Sequence, residues 1–276
     1  TSCISTALRA AIVCSCAGQR AGLQAILRNS MKQSKVFTYG RHALGEALKH
    51  APQAVTKVYL DNRQVDTKLR GQIDRLGIPV AKLSEGLARS DMKSGAAHQG
   101  IIGSISIAQL MVPLEKFLET VRQGANTAVV ILSGVQDPHN VGAIIRSAAG
   151  FGASAVIIPT QGTSSVTGAV IKVSAGMAFR IPLVSAVSAK QAAVELKKKG
   201  FKVYALAGES KNSIGAEPFA GPSAFVLGSE GSGVRSEELT IADKTLSIPM
   251  DPRCESLNVA AAAAVALYAW SVKRGA

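Results

Sequence analysis

Short, unbroken apolar runs recur along residues 127–276 and constrain the fold more than any other feature of the sequence. A strand covered on one face alternates apolar and polar residues, whereas a strand covered on both faces is continuously apolar. The predicted strands are residues 128–132, 155–158, 203–207, 224–227 and 246–248. Helical segments separate these runs, for example residues 189–199, and an alanine-rich helix over residues 258–272 closes the chain. This alternation predicts an α/β domain over residues 127–276, with a mostly parallel sheet flanked by helices.

Residues 35–108 predict a separate, small α/β domain. Helical spacing over residues 40–48 and 69–76 alternates with predicted strands over residues 55–60 and 101–107. Between the two domains, residues 113–124 begin with proline and end with glycine, a pattern typical of a short helix. We therefore assign residues 109–126 to a linker helix.

Residues 1–34 are predicted to be an N-terminal extension outside the fold. The first thirty of them contain three arginines and no acidic residue, a composition typical of an organelle transit peptide. We favour the alternative of an extension upstream of the true start, because Met31-Lys32-Gln33 resembles an ordinary N-terminus. The expected location is the cytoplasm, or an organelle if the transit peptide is genuine.

The chain is basic, and its excess charge indicates a polyanionic partner. It contains 31 Lys and Arg against 18 Asp and Glu, for a net charge of +13. Residues 31–108 hold 12 basic and 6 acidic side chains, a net charge of +6. Nucleic acid is the first candidate for such a partner. No apolar run reaches the roughly 20 residues of a membrane span, and the four cysteines form no C-x-x-C pair, so neither a membrane nor a metal is expected.

The motifs of three large enzyme classes are missing from the sequence. It contains neither the G-x-x-x-x-G-K-[ST] phosphate loop nor the G-x-S-x-G nucleophile motif. Gly228, Gly231 and Gly233 have the spacing G-x-x-G-x-G, the reverse of the dinucleotide-binding fingerprint. P-loop nucleotidases, hydrolases with the common nucleophile turn and Rossmann dehydrogenases are therefore disfavoured.

Polar residues follow three of the predicted strands. Asn140 and Arg146 follow the first, Glu230 follows another among glycines, and Ser256 and Asn258 follow the last. Asn140 is predicted to cap the helix after it, and Arg146 is a lone charge on an otherwise apolar helix, which favours an anionic or polar ligand over a surface ion pair. Ser256 and Asn258 could be helix caps alone. Because the carboxyl ends of parallel strands meet at one edge of a sheet, we expect a ligand site there.

At these residues the sequence resembles the SpoU/TrmH family of RNA ribose 2′-O-methyltransferases, over roughly residues 39–268. The first family motif, N-x-G-x-x-x-R, is met by Asn140, Gly142 and Arg146. The second is met by residues 227–231 (LGSEG), and the third by residues 248–250 (IPM) with residues 256–259 (SLNV). Residues 39–43 and 98–100 resemble the branch that methylates a guanosine ribose in large-subunit ribosomal RNA.

The resemblance implies a fold, a cofactor and partners. The C-terminal domain is expected to contain a deep trefoil knot that holds S-adenosylmethionine, and the small N-terminal domain is expected to bind RNA. Large-subunit ribosomal RNA is the implied substrate, and a homodimer formed through the knotted domains is the implied assembly. No metal is implied.

The resemblance also implies roles for individual residues. Those that match the lining of the methyl-donor site are Gly228, Ile248 and Leu257. Those that match the catalytic motif positions are Arg146, Asn140, Glu230, Ser256 and Asn258. In the family, the residue at Arg146 is proposed to activate the ribose 2′-hydroxyl. Because a guanidinium does not normally give up its proton, we expect Arg146 to stabilise the developing alkoxide while a phosphate or water accepts the proton.

Two further interpretations stay open. A transfer-RNA or antibiotic-resistance ribosomal-RNA 2′-O-methyltransferase would share the chemistry and differ in its substrate. A non-catalytic, RNA-binding ribosome assembly factor would keep the fold without turnover. The presence of all three motifs favours an enzyme.

Overall fold

The computed structural model describes residues 35–61, 67–83 and 100–273, which form two sheets. The predicted N-terminal extension lies outside the described residues, as do His98 and Gln99 of the branch-specific segment. None of the described helices combines the length and the apolar character that crossing a membrane requires.

The first sheet has four strands in the order β1-β4-β2-β3. Its elements are β1 (Lys35–Tyr39), α1 (Arg41–His50), β2 (Val55–Leu60), α2 (Thr67–Arg75), β3 (Val80–Lys82) and β4 (Ile101–Ser106). Strand β4 runs antiparallel to β1 and β2, and β3 runs parallel to β2. Helix α1 packs closely on β4, since a Cβ at Gly103 would lie 2.9 Å from Cδ1 of Leu44. These elements match the α/β alternation predicted for this part of the chain.

The segment between the sheets differs from the single helix predicted over residues 113–124. It consists of α3 (Ile107–Leu110), β5 (Met111–Pro113) and α4 (Leu114–Thr120). Strand β5 pairs in parallel with residues 183–185 and is the edge of the second sheet, a position that tolerates Pro113. Helix α4 buries Leu114, Phe117 and Leu118. The segment is therefore part of the larger fold and not a free connection.

The second sheet has seven strands in the order β11-β9-β10-β6-β7-β8-β5, and every pairing in it is parallel. Its remaining elements are β6 (Ala128–Leu132), α5 (Pro138–Gly150), β7 (Ala155–Pro159), α6 (Gly168–Val173), β8 (Leu183–Ala186), α7 (Ala189–Lys198), β9 (Lys202–Leu206), β10 (Ser223–Leu227), α8 (Ser236–Ile241), β11 (Lys244–Leu246) and α9 (Val259–Lys273). The predicted parallel sheet flanked by helices is confirmed, whereas the trefoil knot stays a prediction. Strand β8 was missed because its four residues include a serine, and β11 lies two residues before its predicted position.

The strand order of the second sheet has a point at which the direction of winding reverses. From β6, in the interior of the sheet, the chain first builds β7 and β8 on one side, and it later places β10 on the other side. The carboxyl ends of β6 and β10 are therefore neighbours at the point where the direction of winding reverses. Such a point is the usual ligand site of an open parallel sheet, and the cavity of this protein lies next to it, bordered by β9, β10 and β11.

The two sheets are held together by direct packing and an ion pair. A Cβ at Gly168, the first residue of α6, would lie 2.6 Å from the carbonyl oxygen of Phe37, so α6 packs directly on the backbone of β1. Glu46 of α1 forms a two-pronged ion pair with Arg180, which lowers the pKa of the Glu46 carboxyl. One apolar cluster runs from the small domain into the larger one.

Candidate functional site

A cavity of about 430 Å³ lies at the carboxyl ends of β9, β10 and β11. Its walls are the loops that follow these strands and the first turn of α9. The residues predicted to hold the methyl donor, Gly228, Ile248 and Leu257, all line the cavity, as do Glu230 and Ser256. The volume falls within the range of about 300–1,000 Å³ that is typical of small-molecule sites.

A chain of side-chain hydrogen bonds beside this cavity joins the three motifs. The Nδ2 of Asn140 donates to Oε1 of Glu230 at 2.5 Å. The Nδ2 of Asn258 donates to Oδ1 of Asn140 at 3.0 Å. The Oδ1 of Asn258 in turn accepts from the backbone N–H of Ala260 at 2.8 Å. Residues that lie 90 and 118 positions apart in the sequence therefore form one connected unit.

The prediction that Asn140 caps its helix is wrong. The cap is Asp137, whose Oδ1 accepts from the backbone N–H of His139 at 2.9 Å. Pro138 explains the earlier start, because proline suits the first helical position. Asn140 therefore lies within the first turn of α5, and its side-chain amide bonds Glu230 and Asn258 instead. Asn258 does cap α9, so its capping role and its motif role coexist in one side chain.

The motif glycines are required by packing within the protein. A Cβ at Gly228 would lie 2.0 Å from the carbonyl carbon of Gly233, so the loop folds back on itself with no room for a side chain. A Cβ at Gly142 would lie 2.7 Å from Cβ of Val173, so α5 packs tightly on α6. The space that a side chain at Gly228 would need is filled by the loop itself.

Arg146 is the one predicted catalytic residue that the structure does not bring into this group. It lies on α5 about 9 Å along the helix axis from Asn140, and it does not line the cavity. Its side chain is exposed and makes no hydrogen bond or ion pair with any residue in the described ranges. A surface ion pair, the alternative to a ligand-binding role, is therefore not formed within those ranges.

One part of the cavity was not predicted from the sequence. Glu209, in the loop after β9, lines the cavity together with Met250 and Glu255. The signal was available, because Gly208-Glu209 directly follows a predicted buried strand just as Gly228 does.

The lining fits S-adenosylmethionine chemically. Three carboxylates line the cavity, those of Glu209, Glu230 and Glu255, and no described lining residue is basic. This charge suits a ligand with a sulfonium and an ammonium group. The apolar side chains of the lining suit the adenine ring and the aliphatic part of the ligand; they are Leu206, Leu227, Leu246, Ile248, Leu257 and Val259.

Two family descriptions match the chain. Residues 127–268 match the SpoU rRNA Methylase family, and residues 37–111 match a domain described as RNA 2′-O ribose methyltransferase substrate binding.

Curated relatives align over most of the chain. A 23S rRNA (guanosine-2′-O-)-methyltransferase RlmB from Xanthomonas campestris pv. campestris is 34% identical over 243 residues, covering 86% of this chain and 96% of the relative. The protein of the same name from Photobacterium profundum is 35% identical over 239 residues, covering 85% of this chain and 96% of the relative.

Solved structures share the fold. The SpoU methyltransferase AviRb from Streptomyces viridochromogenes, in complex with AdoMet, superposes with a TM-score of 0.75 at 22% identity, covering 87% of this chain and 90% of AviRb. An AdoMet-bound rRNA methyltransferase from Sinorhizobium meliloti superposes with a TM-score of 0.73 at 22% identity, covering 88% of each chain.

Proposed function

Because the chain belongs to the SpoU rRNA methylase family, as its three motifs predicted, we propose that it methylates the 2′-hydroxyl of a ribose in RNA with S-adenosylmethionine as the methyl donor. The substrate that we propose is a guanosine of large-subunit ribosomal RNA, the substrate named for the curated relatives. The observation that carries the proposal is the hydrogen-bonded chain of Glu230, Asn140 and Asn258 beside the cavity.

The roles proposed for the residues follow from the requirements of methyl transfer. S-adenosylmethionine, when bound, supplies a methyl group that is already electrophilic. The protein must therefore hold donor and ribose in line and assist loss of one proton from a weakly acidic hydroxyl. Gly228, Ile248 and Leu257 would hold the donor. The hydrogen bonds that Asn140 makes with Glu230 and Asn258 would hold the loops that carry Glu230 and Ser256 in a fixed position relative to the ribose.

Arg146 would stabilise the oxyanion that develops on the ribose. A guanidinium presents planar, fixed donors that suit an alkoxide together with a neighbouring phosphate. Two observations support this role: Arg146 belongs to the first motif, and no described residue neutralises its charge. The proton itself would pass to a phosphate or to water.

The small domain would hold the RNA. Residues 37–111 match the substrate-binding description, and residues 31–108 carry a net charge of +6. We accordingly assign residues 35–108 to RNA binding and residues 127–276 to methyl transfer, with residues 1–34 outside both. A ribosomal substrate is consistent with a location in the cytoplasm.

The last helix would form the interface of a homodimer. One face of α9 is buried against the core, where it packs on α5. The opposite face exposes Val265, Tyr268 and Val272, with 37, 59 and 52% of each residue accessible. Their spacing of three and four residues aligns them as one apolar stripe. Such a stripe is typical of an interaction surface.

Mapping of ribose methylation tests the proposed function. Unmodified large-subunit ribosomal RNA is incubated with S-adenosylmethionine and the protein, and 2′-O-methyl sites are mapped with and without the protein. We expect one new site, at a guanosine. Methylation of transfer RNA instead would redirect the substrate assignment, and RNA binding without methylation of either RNA would favour the assembly-factor interpretation.

A further inference from the structure

A second guanidinium, that of Arg235, lies at the same edge of the sheet as the cavity. Arg235 is five residues beyond Glu230 and immediately precedes α8. Its side chain reaches the loops that follow two other strands: a Cβ at Gly162, after β7, would lie 2.5 Å from Nη2 of Arg235, and a Cβ at Gly134, after β6, would lie 3.6 Å from the same atom. The guanidinium thus lies where the loops after β6, β7 and β10 meet.

Two glycines leave the space that this guanidinium occupies. Gly134 and Gly162 both have a φ of +75°, a conformation that disfavours any other residue. At Gly162 a side chain would also collide with the guanidinium itself. The backbone conformation of the two glycines and their lack of side chains together leave space for the guanidinium of Arg235.

Arg235 has no counter-ion in the described part of the chain. Its side chain is exposed and forms no hydrogen bond or ion pair with a described residue. Other described arginines do form such pairs: Arg180 with Glu46, Arg253 with Asp251 and Arg70 with Asp74. A positioned guanidinium that no described carboxylate neutralises retains its donors for an external anion.

This guanidinium is adjacent to the hydrogen-bonded chain of the candidate site. A Cβ at Gly134 would lie 3.5 Å from Cβ of Ser229, the residue before Glu230, and 3.6 Å from Nη2 of Arg235. Arg235 therefore lies beside the loop that holds Glu230, on the side of the loop that follows β6. An RNA whose ribose reached Asn140 and Glu230 would carry its phosphates past this position.

We propose that Arg235 binds a backbone phosphate of the substrate RNA next to the methylated ribose and thereby positions that ribose. The inference rests on the proposed function for the identity of the anion. A guanidinium can engage two phosphate oxygens at once, which fixes orientation as well as adding affinity. Arg235 is thus a positioning residue that does not touch the reacting atoms.

The test measures RNA binding apart from turnover. The affinity of the full chain for transcribed large-subunit ribosomal RNA is determined over a range of salt concentrations for wild type and Arg235→Ala. We expect about tenfold weaker binding. The slope of log affinity against log salt should be smaller by about 0.7–0.9, because the variant neutralises one phosphate fewer than wild type does. Donor affinity by calorimetry should stay near the wild-type value, whereas kcat at saturating RNA should fall, because a ribose that binds without this contact is less well aligned with the donor.

Three variants make the result specific. Arg235→Lys should keep the salt slope and recover only part of the affinity, because lysine retains the charge without the planar fork. Gly162→Ala should weaken RNA binding while leaving the charge in place, because its Cβ displaces the guanidinium. Arg122→Ala removes an exposed arginine from the loop that leads into the amino end of β6 and should leave RNA binding unchanged.

The outcomes separate this inference from the proposed function. If Arg235→Ala matches Arg122→Ala in both RNA affinity and salt slope, Arg235 does not contact phosphate, whether or not the protein methylates ribosomal RNA. If the slope falls as expected but wild type methylates no ribosomal RNA, the phosphate contact stands and the proposed substrate is wrong.

Discussion

At Gly228 the backbone of the donor loop turns back so closely that no side chain fits. We expect Gly228→Ala to force residues 228–234 apart, because its Cβ would lie 2.0–2.2 Å from backbone atoms of Gly233 and Val234. Such overpacking costs about 1–3 kcal/mol, so the melting temperature should fall and calorimetry should detect little donor binding. Gly221→Ala is the matched control, because a Cβ there meets open space and Gly221 does not line the cavity. Wild-type donor affinity in a folded Gly228→Ala variant would separate this loop from the donor site.

At Arg146 the side chain is free of described partners, so it can be replaced without loss of the fold. We expect Arg146→Ala and Arg146→Lys to keep the wild-type melting temperature and donor affinity. The single-turnover rate at saturating RNA and donor should fall by about 10²–10³, the usual effect of removing one oxyanion-stabilising group. If Arg146 only binds RNA, raising the RNA concentration should restore the rate. A lysine variant with wild-type speed would rule out the catalytic role.

At the scale of elements, the connection between β9 and β10 depends on one buried carboxylate. Glu217 accepts from Nζ of Lys202 at 2.9 Å, from the hydroxyl of Tyr204 at 2.8 Å and from Nζ of Lys244 at 2.7 Å. Burial alone raises the pKa of Glu217, but these three hydrogen bonds outweigh it and lower the pKa to about 2. The connection they anchor begins with the loop of Glu209, which lines the donor cavity.

The lowered pKa of Glu217 predicts how the free energy of unfolding depends on pH. The folded pKa lies below the ordinary value of 4.5, so the ionised form stabilises the fold at neutral pH by about 3 kcal/mol. This contribution is complete above about pH 4.5 and is lost as the pH falls towards 2. Urea unfolding at several pH values should show the loss in wild type and its absence in Glu217→Gln.

Asp74→Asn is the control for Glu217→Gln, because Asp74 forms an exposed ion pair with Arg70. Exposed pairs contribute at most about 1 kcal/mol, so this variant should follow the wild-type pH profile. A Glu217→Gln variant that is as stable as wild type at pH 7 would contradict the anchoring role.

At the scale of the whole molecule, the apolar stripe of α9 determines the expected assembly. We expect light scattering to show a dimer for wild type at micromolar concentration and a monomer for Tyr268→Glu, because a charge on the stripe would be buried without a partner. Leu76→Glu is the matched control: Leu76 is 44% exposed in the small domain, far from α9 in the chain. A wild-type monomer would disprove the proposed interface.

The packing between the sheets limits how the small domain can be tested. A chain that begins near residue 127, at the predicted domain boundary, lacks β5, the edge strand of the second sheet, and α4, which buries Leu114, Phe117 and Leu118. It would also expose the part of the apolar cluster that the two domains share. Substitutions of single basic residues are therefore the better probe of RNA binding.

The sequence by itself determined the fold class, the family and the edge of the sheet that carries the site. Buried parallel strands are continuously apolar, and their polar loops follow at fixed places, so both are visible in a linear pattern. The three residues predicted to line the donor site also needed no coordinates, since the family resemblance that names them is carried by linear motifs.

Only the tertiary structure decided which of those residues act together. The bond from Asn140 to Glu230 and the position of Arg235 against Gly134 and Gly162 both join loops that are distant in sequence. No local pattern encodes such contacts, because they depend on the order of strands in the sheet. That order places β10 beside β6 although they are about ninety residues apart, and it thereby brings Asn140 to Glu230 beside the cavity.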